Sequence, residues 1–415
     1  MPTSVFVTGL GLVTPVGLDT ESTWQALLRG ASGIDYIKTF DTDGFKTTFA
    51  GEITDFDPAD FMERKVALRL DRFAQFAVAA TRQALDNASL VIDDGSVDPT
   101  RVGVVIGSGM GGIITTSAQS RLLEERGPAK VSPFLMPMML PDMAAGQVSI
   151  LFGARGPNYC IVTACSSGAD AIGIAAEMIR RGEVDIAIAG GAEAPVCPIG
   201  IAGFNSCFAL STRNHDPKGA SRPFDAERDG FVLAEGAGVL VLESGASMER
   251  RGVRPLANLA GYGASSDAHH ITQPKPTGEG AALAMKKAMD QANITPKDLS
   301  YINSHGTGTL LNDKYETLAI KRVMGNEAQK VKISATKSMT GHLLGAAGGV
   351  EAACTVLAVN RGESPPTINL STPDPDCDLD YTPYTPYRGV VSAAMSNNFG
   401  FGGHNASLVF TRVTS

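Results

Sequence analysis

No stretch of the sequence reaches about 18 uninterrupted apolar residues, the length a membrane-spanning helix needs, so no such span is expected. The opening MPTSVFVTGLGLVTPVG has no basic n-region and no small-residue cleavage site, and it does not read as a signal peptide. No CxxC pair occurs among the cysteines at 160, 165, 197, 207, 354 and 377. A disulfide framework is therefore not indicated, and the expected setting is a reducing compartment, the cytoplasm. Positive charge is in deficit: 35 Lys plus Arg against 43 Asp plus Glu leave −8, with no general attraction for nucleic acid or an anionic membrane. Tryptophan occurs once, whereas 46 glycines supply tight turns along 415 residues. That length fits two or three ordinary domains or one large duplicated α/β unit.

Short β-branched runs alternate with Gly-rich turns and Ala-rich helical stretches, the pattern of strands followed by helices. Residues 4–11, 102–112, 184–193 and 231–244 read as buried strands, and 70–88 as a buried helix with apolar residues at helical spacing. Two series share one order. RVGVVIGSGMGG, YCIVTACSSGADAIGIAAEMIRRG and VDIAIAGGAE are answered by LSYINSHGTGT, VKISATKSMTGHLLGAAGGVEAACTVLAV and VSAAMSNNFGFGGHNASLVF. Two copies of one α/β unit fit this order, with the join near 250–260. Residues 374–389 read as a long exposed connection.

Cys165 ends a β-branched stretch, and Ala169, Ile172, Ala176 and Ile179 recur after it at helical intervals. A thiol at a helix N-terminus gains from unpaired amides and the positive end of the dipole, which favour the nucleophilic thiolate. A buried structural cysteine is the plain alternative. His305 in NSHGTGT and His342 in KSMTGHLLGAAGG both follow strands, where α/β proteins collect their chemistry. Two imidazoles suit a reaction in which negative charge appears on a thioester oxygen and must be met by oriented donors. Lys337 and Glu351 flank His342 and either orient it as a buried ion pair or are surface charges. The loop Gly400, Phe401, Gly402, Gly403 either presents amides to an oxyanion, with Phe401 hinged on glycines, or is a glycine-rich hairpin turn. His269 and His270 are adjacent, without ligand spacing, so no metal site is expected. GSGMGG lacks the acidic partner of a dinucleotide site.

TACSSG, SHGTGT, KSMTGHLLGAAGG, NNFGFGGHN, RPFDAERDGFVLAEGAG and the opening TGLGLVTPVG together resemble the elongating β-ketoacyl-[acyl-carrier-protein] synthases of the II type, over essentially the whole chain. The resemblance implies an α/β thiolase fold: two similar βαβαβαβ halves, 1–255 with the nucleophilic cysteine and 256–415 with the two histidines, in a five-layered αβαβα core. It implies an acyltransferase in which Cys165 takes the acyl chain and the amides of Cys165 and Phe401 hold the oxyanion. His305 and His342 would promote decarboxylation of a malonyl carrier and hold the enolate, supported by Lys337 and Glu351. Thr307, Thr309 and Thr272 would contact the phosphopantetheine arm, which arrives on the carrier, so no resident cofactor is expected. Met110, Phe204, Leu344 and Phe399 would line the substrate channel, with residues near Phe134 to Met136 reaching in from a partner subunit. Arg64, Lys65, Arg69, Arg72 and Lys130 are candidates for docking an acidic acyl carrier protein. The implied assembly is a homodimer, or a heterodimer with a chain-length-factor-like paralogue.

Two positions depart from the pattern. Phe208 stands where the family often has Arg, and Leu310 where it often has Pro or Ala. An apolar rim would suit an unusual carrier or a partner subunit. Type II fatty-acid elongation is the leading pathway, and the ketosynthase subunit of a dissociated type II polyketide system is the alternative. A non-catalytic tunnel-shaping partner is disfavoured by the intact Cys165, His305 and His342. A degradative thiolase is disfavoured because FGFGGHN stands where a second cysteine base would.

Overall fold

The computed structural model describes residues 3–413; Met1, Pro2, Thr414 and Ser415, the outermost residues of the two expected halves, lie outside the described residues. Ten strands form one mixed sheet system: β1 Val5–Val13, β2 Val102–Gly107, β3 Asn158–Ile161, β4 Ile186–Glu193, β5 Gly236–Ser244, β6 Ala257–Ser266, β7 Tyr301–Asn303, β8 Lys332–Ser334, β9 Ala393–Gly400 and β10 His404–Thr411. The helices that cover its faces include α1 Arg72–Asn87, α2 Met143–Phe152, α3 Ser167–Arg180, α4 Glu279–Ala292, α5 Leu310–Met324 and α6 Ala347–Arg361.

The strand order proves the repeat. One half runs 3-2-4-5-1 and the other 8-7-9-10-6, the same order displaced by five. The polarity repeats too: β2 pairs parallel with β3 and β4, while β5 is antiparallel to both β4 and β1. In the second half β7 pairs parallel with β8 and β9, and β10 is antiparallel to both β9 and β6. Each half is thus β-α-β-α-β-α-β plus a final antiparallel strand. Two residue pairs, Phe6–Asn258 and Val7–Ala257, join the halves through β1 and β6.

The layers follow from which faces are apolar. Strands such as β2, β4 and β5 are buried along their whole length, so both faces need cover. Helix α1 and α2 cover one outer face, α4 and α5 the other, and α3 with α6 fills the space between the two halves of the sheet. This gives the five αβαβα layers of the thiolase fold. Helix α1 starts where Asp71 caps it by accepting from the Phe73 amide, and its Phe73, Phe76, Ala77, Ala80 and Ala84 are buried.

In the central layer α3 and α6 touch backbone to backbone. A Cβ at Gly348 would sit 2.2 Å from the Ala169 amide nitrogen, and one at Gly168 2.8 Å from that of Gly349. The run AAGG at the start of α6 and the run SSG at the start of α3 therefore bring the two helix N-termini side by side. The functional positions ride on those termini.

Two expectations change. Residues 231–235 do not extend β5; they cross beneath the site, where His342 donates its amide to Val232 O at 2.7 Å and accepts from the Ala234 amide at 3.0 Å. The connection 374–389 is not an exposed loop throughout, because Cys377, Leu379 and Tyr381 are buried and Tyr381 stacks on Phe224 with centroids 3.8 Å apart.

Candidate active site

Strand β3 ends at Ile161, and the chain turns through Ala164, whose φ of 51° is left-handed, into a 3-10 turn Ala164–Ser166 that runs on into α3. An alanine holds that conformation only when its surroundings enforce it. Ser167 does so, donating through its hydroxyl to Ala164 O at 2.6 Å and accepting from the Thr163 amide at 2.9 Å. Ser166 Oγ donates to Asn398 O at 2.9 Å, which pins the turn to the second half. Cys165, between these anchors, faces a cavity.

His342 Nε2 lies 3.1 Å from Cys165 Sγ. The Leu344 amide donates to His342 Nδ1 at 3.3 Å, which assigns the ring proton to Nε2. His305 is treated the same way by a different group: Lys337 Nζ stands 3.3 Å from its Nδ1, and an ammonium can only donate. That lysine is ion-paired with Glu351, which also accepts from Asn398 Nδ2 at 2.7 Å; both pair members are buried, not surface charges. The two imidazole rings stand 5.3 Å apart and nearly perpendicular. Burial, with the Lys337 charge beside them, holds both well below the ordinary histidine range. They are neutral, each with an Nε2–H available to the cavity.

Cys165 borders the cavity but is otherwise enclosed, and that burial pushes its thiol up to about 12, while Lys337 and the Phe401 amide pull it down. The thiolate that helix placement favours is thus opposed by desolvation, so in the resting pocket the sulfur's charge must be met by the neighbouring donors. Desolvation outweighs the helix terminus here.

The cavity holds about 420 Å³ and is lined by the apolar Met110, Phe204, Leu344 and Phe399 and by the hydroxyl-bearing Thr272, Thr307 and Thr309. Thr307 and Thr309 share a hydroxyl contact of 3.0 Å. The Phe401 amide faces the sulfur from the β9–β10 hairpin. Gly400 carries no side chain for a reason: a Cβ there would meet Thr163 O at 2.7 Å and the Cys165 amide at 3.0 Å. Gly402, expected among the oxyanion or gate residues, donates its amide to Ile271 O at 2.8 Å and has φ of 84°, so it serves as the turn residue and not as an oxyanion donor.

Arg64, Lys65, Arg69 and Lys130 are exposed, with Arg69 over the Phe134 ring at 5.0 Å. Arg72 is corrected: it turns inward to Glu235 at 2.8 Å and is not free to dock a partner. Phe208 is 83% exposed beside the cavity mouth, with Lys46 Nζ 5.0 Å from its ring centroid; Leu310 and Leu311 are exposed on the same rim. His269 and His270 are exposed, and His270 Nδ1 accepts from the Thr272 and Gln273 amides.

Four buried polar residues escaped the sequence reading. Glu316 accepts from the amides of His305 and Gly306, both at 2.8 Å, and Asp313 from those of Thr307 and Phe224 at 3.1 and 2.8 Å. Asn398 holds Glu351, and Glu193 binds amides of two loops. The spacing SHGTGT-x3-D-x2-E carried a signal for the first two, since a glycine-rich strand end leaves amides that acids one helical turn later can satisfy. Glu193 had none, its partners being far apart in sequence.

A cysteine on a helix terminus, two neutral imidazoles aimed at one cavity and a thiolase fold define a thiol-dependent acyltransferase of the condensing class. The comparisons agree. Residues 3–247 match the beta-ketoacyl synthase N-terminal domain and 256–371 its C-terminal domain. The chain therefore belongs to the beta-ketoacyl synthase family. It is 48% identical over 408 residues, 98% of both chains, to a 3-oxoacyl-[acyl-carrier-protein] synthase 2 of Synechocystis sp., and 49% identical over 408 residues, again 98% of both, to one of Staphylococcus aureus. Among solved structures it is similar to a beta-ketoacyl synthase from Burkholderia phymatum, with TM-score 0.92, 36% identity and coverage of 99% of this chain and 100% of that one. A type II polyketide ketosynthase in complex with its acyl-carrier protein gives TM-score 0.91, 35% identity and full coverage of both chains.

Proposed function

We propose that the protein condenses an acyl chain held on Cys165 with a malonyl group on acyl carrier protein, releasing carbon dioxide and a β-ketoacyl carrier, in fatty-acid elongation. The observation that carries this is the one cavity lined by Cys165, His305 and His342, with His342 Nε2 3.1 Å from Cys165 Sγ and the two imidazole rings 5.3 Å apart. In the first step Cys165 sulfur attacks the acyl thioester carbonyl, the oxyanion accepts from the Cys165 and Phe401 amides, the bond to the carrier sulfur breaks, and the Cys165 proton passes to that sulfur so that the carrier leaves as a thiol. In the second, the malonyl thioester oxygen lies between the two Nε2–H donors. The bond to the carboxylate breaks, carbon dioxide departs, and its electron pair forms an enolate that the imidazoles stabilise. The enolate carbon then attacks the acyl carbonyl and Cys165 leaves. Lys337 and Glu351 keep His305 oriented and neutral. The bonds and electrons balance without a resident metal or redox group, and the pantetheine arm comes with the carrier.

The carrier docks at the mouth between the basic residues Arg64, Lys65, Arg69 and Lys130 and the apolar rim of Phe208 and Leu310. The working form is a homodimer joined at the β3 edge. That edge has β2 as its one neighbour, and Ile150, Tyr159 and Val162 beside it are 73%, 51% and 54% exposed. Phe134 and Met136 are exposed, and in this homodimer they would reach the partner's channel. No helix among the described residues is long and apolar enough to cross a membrane. The six free cysteines fit the cytoplasm.

A dissociated polyketide role, with a chain-length-factor partner, is the second reading, favoured by the similarity to a ketosynthase/chain length factor structure at 34% identity, TM-score 0.93 and full coverage of both chains. The test is turnover of purified protein with malonyl carrier and a ladder of saturated acyl carriers, with mass spectrometry of Cys165. Elongation by one two-carbon unit per turn, with an acyl adduct on Cys165, supports the first reading. Repeated extension without reduction, needing a second subunit, supports the other, and no adduct on Cys165 overturns both.

A further inference from the structure

One buried acid is unused by the mechanism above. Glu193 ends β4, is fully buried, and sits behind the cavity wall. Its Oε1 accepts from Ser108 Oγ at 2.9 Å and the Met110 amide at 3.1 Å; its Oε2 accepts from the Gly109 amide at 2.6 Å and the Gly345 amide at 3.1 Å. Ser108 Oγ in turn accepts from the Gly111 amide at 3.1 Å, so its own hydrogen is directed to the carboxylate. Burial pushes the Glu193 carboxyl above the ordinary carboxylate range, and the hydrogen bonds from Gly109, Ser108, Met110 and Gly345 pull it back down; four donors and no acceptor are the arrangement that suits an ionised carboxylate. No basic side chain is salt-bridged to it among the described residues; three amides and the Ser108 hydroxyl hold it, one of the amides at the start of the turn leading into α6.

The donors belong to two loops that do different work. Ser108 to Gly111 follows β2 and carries Met110 into the apolar end of the cavity. Gly345 lies three residues after His342 and directly after Leu344, which lines the same cavity and packs in one apolar cluster with Met110. We propose that Glu193 is a positioning residue that latches the acyl-channel wall of the first half to the His342 turn of the second, so that acyl-chain fit and enolate stabilisation are set together. This rests on the condensing reaction proposed above and adds the determinant of how the chain end is accommodated. The same anion bears on Cys165, which is also faced by His342, His305, Lys337 and Glu351, and it disfavours the thiolate.

Two variants separate latch from charge. Glu193→Gln removes the charge and sets an NH2 against backbone N–H donors, breaking one side of the latch. Ser108→Ala removes one donor and leaves the charge. For Glu193→Gln, long-chain relative to short-chain acylation of Cys165 is expected to change about 10-fold, and decarboxylation to fall by about the same factor, each the size of one lost hydrogen bond to a charged group. Its iodoacetamide alkylation of Cys165 should rise with pH about 0.5 to 1 unit earlier than wild type, a like charge having been removed. Ser108→Ala should move the chain-length ratio in the same direction, by about 3-fold, with the alkylation profile in place. The latch is overturned if Ser108→Ala leaves the chain-length ratio at the wild-type value, or if Glu193→Gln lowers acylation equally for every chain length. Should Glu193→Gln fail to fold, the chain-length ratio of Ser108→Ala decides alone. A wild-type protein that takes no acyl group from any carrier would defeat the proposed reaction instead, an outcome distinct from a failed latch.

Discussion

The two halves place their central helices by the same device and then use them oppositely. Each helix is entered through a three-residue 3-10 turn whose first residue is left-handed without being glycine, Ala164 with φ of 51° before α3 and Leu344 with φ of 48° before α6. The next residue is Cys165 in one half and Gly345 in the other. The strands facing them, each eight residues long, end in reciprocal fashion, β9 in Gly400 and β4 in Glu193. Where the second half supplies a glycine, there is room above Cys165 for a sulfur and a substrate. Where the first half supplies a glutamate, its carboxylate fills the matching space, and a Cβ on Gly345 would lie 2.4 Å from the Gly109 nitrogen and 2.5 Å from Glu193 Oε2. Duplication gave two equivalent helix termini; one was opened as a reaction site and the other closed as a strut for His342.

The division of labour is sharpest where one half can be silenced alone. Cys165→Ala should abolish condensation, a loss of at least about 10³-fold by product formation, because Cys165 is the cysteine within hydrogen-bond reach of His342, whereas Cys207, also on the cavity lining, is exposed. Detectable β-ketoacyl product would contradict it. Cys165→Gln should leave malonyl decarboxylation, which belongs to the second half, while blocking chain transfer. Conversely, His342→Ala should keep acylation of Cys165 but lower decarboxylation by roughly 10²- to 10³-fold, the usual cost of one oxyanion donor. Equal loss of both would show that the imidazole serves the first half as well. Gly345→Ala probes the closed terminus: with rigid backbone in the way of the new methyl, a loss of about 1–3 kcal/mol in denaturant unfolding is expected. An unchanged midpoint would mean the two loops are looser than their contacts indicate.

Much of this was legible in the sequence because local chemistry wrote it there. Glycine-rich strand ends, the helical spacing after Cys165 and the repeated order of segments follow from backbone constraints that act over a few residues. The family resemblance named the two histidines and Lys337 with their roles. What stayed hidden is set by distant partners. No local pattern shows that Arg72 folds inward to Glu235, that residues 231–235 leave the sheet to run under His342, or that Glu193 binds loops at 109 and 345. The balance on the Cys165 thiol is hidden for the same reason: a helix terminus is visible in sequence, whereas the enclosure that opposes it is not.

That enclosure carries a smaller, pH-dependent signature which also separates the halves. His305 and His342 have native pKa values depressed below 6.5 by burial and by Lys337. In the unfolded chain they return to about 6.5. Between the depressed native value and 6.5 the unfolded state therefore binds more protons than the native state, so stability rises with pH and is lost as pH falls below about 6.5. Cys165 acts at the other end. Its native value is raised to about 12 from 9.0, so its contribution is complete below pH 9 and is lost as pH climbs towards 12. Thermal midpoints of wild type and His342→Ala measured from pH 7.5 to 5 should converge on acidification, since the variant lacks one of the two histidines responsible. Parallel curves would show that His342 titrates in the native state as it does in water, and that the second half does not keep its imidazole neutral.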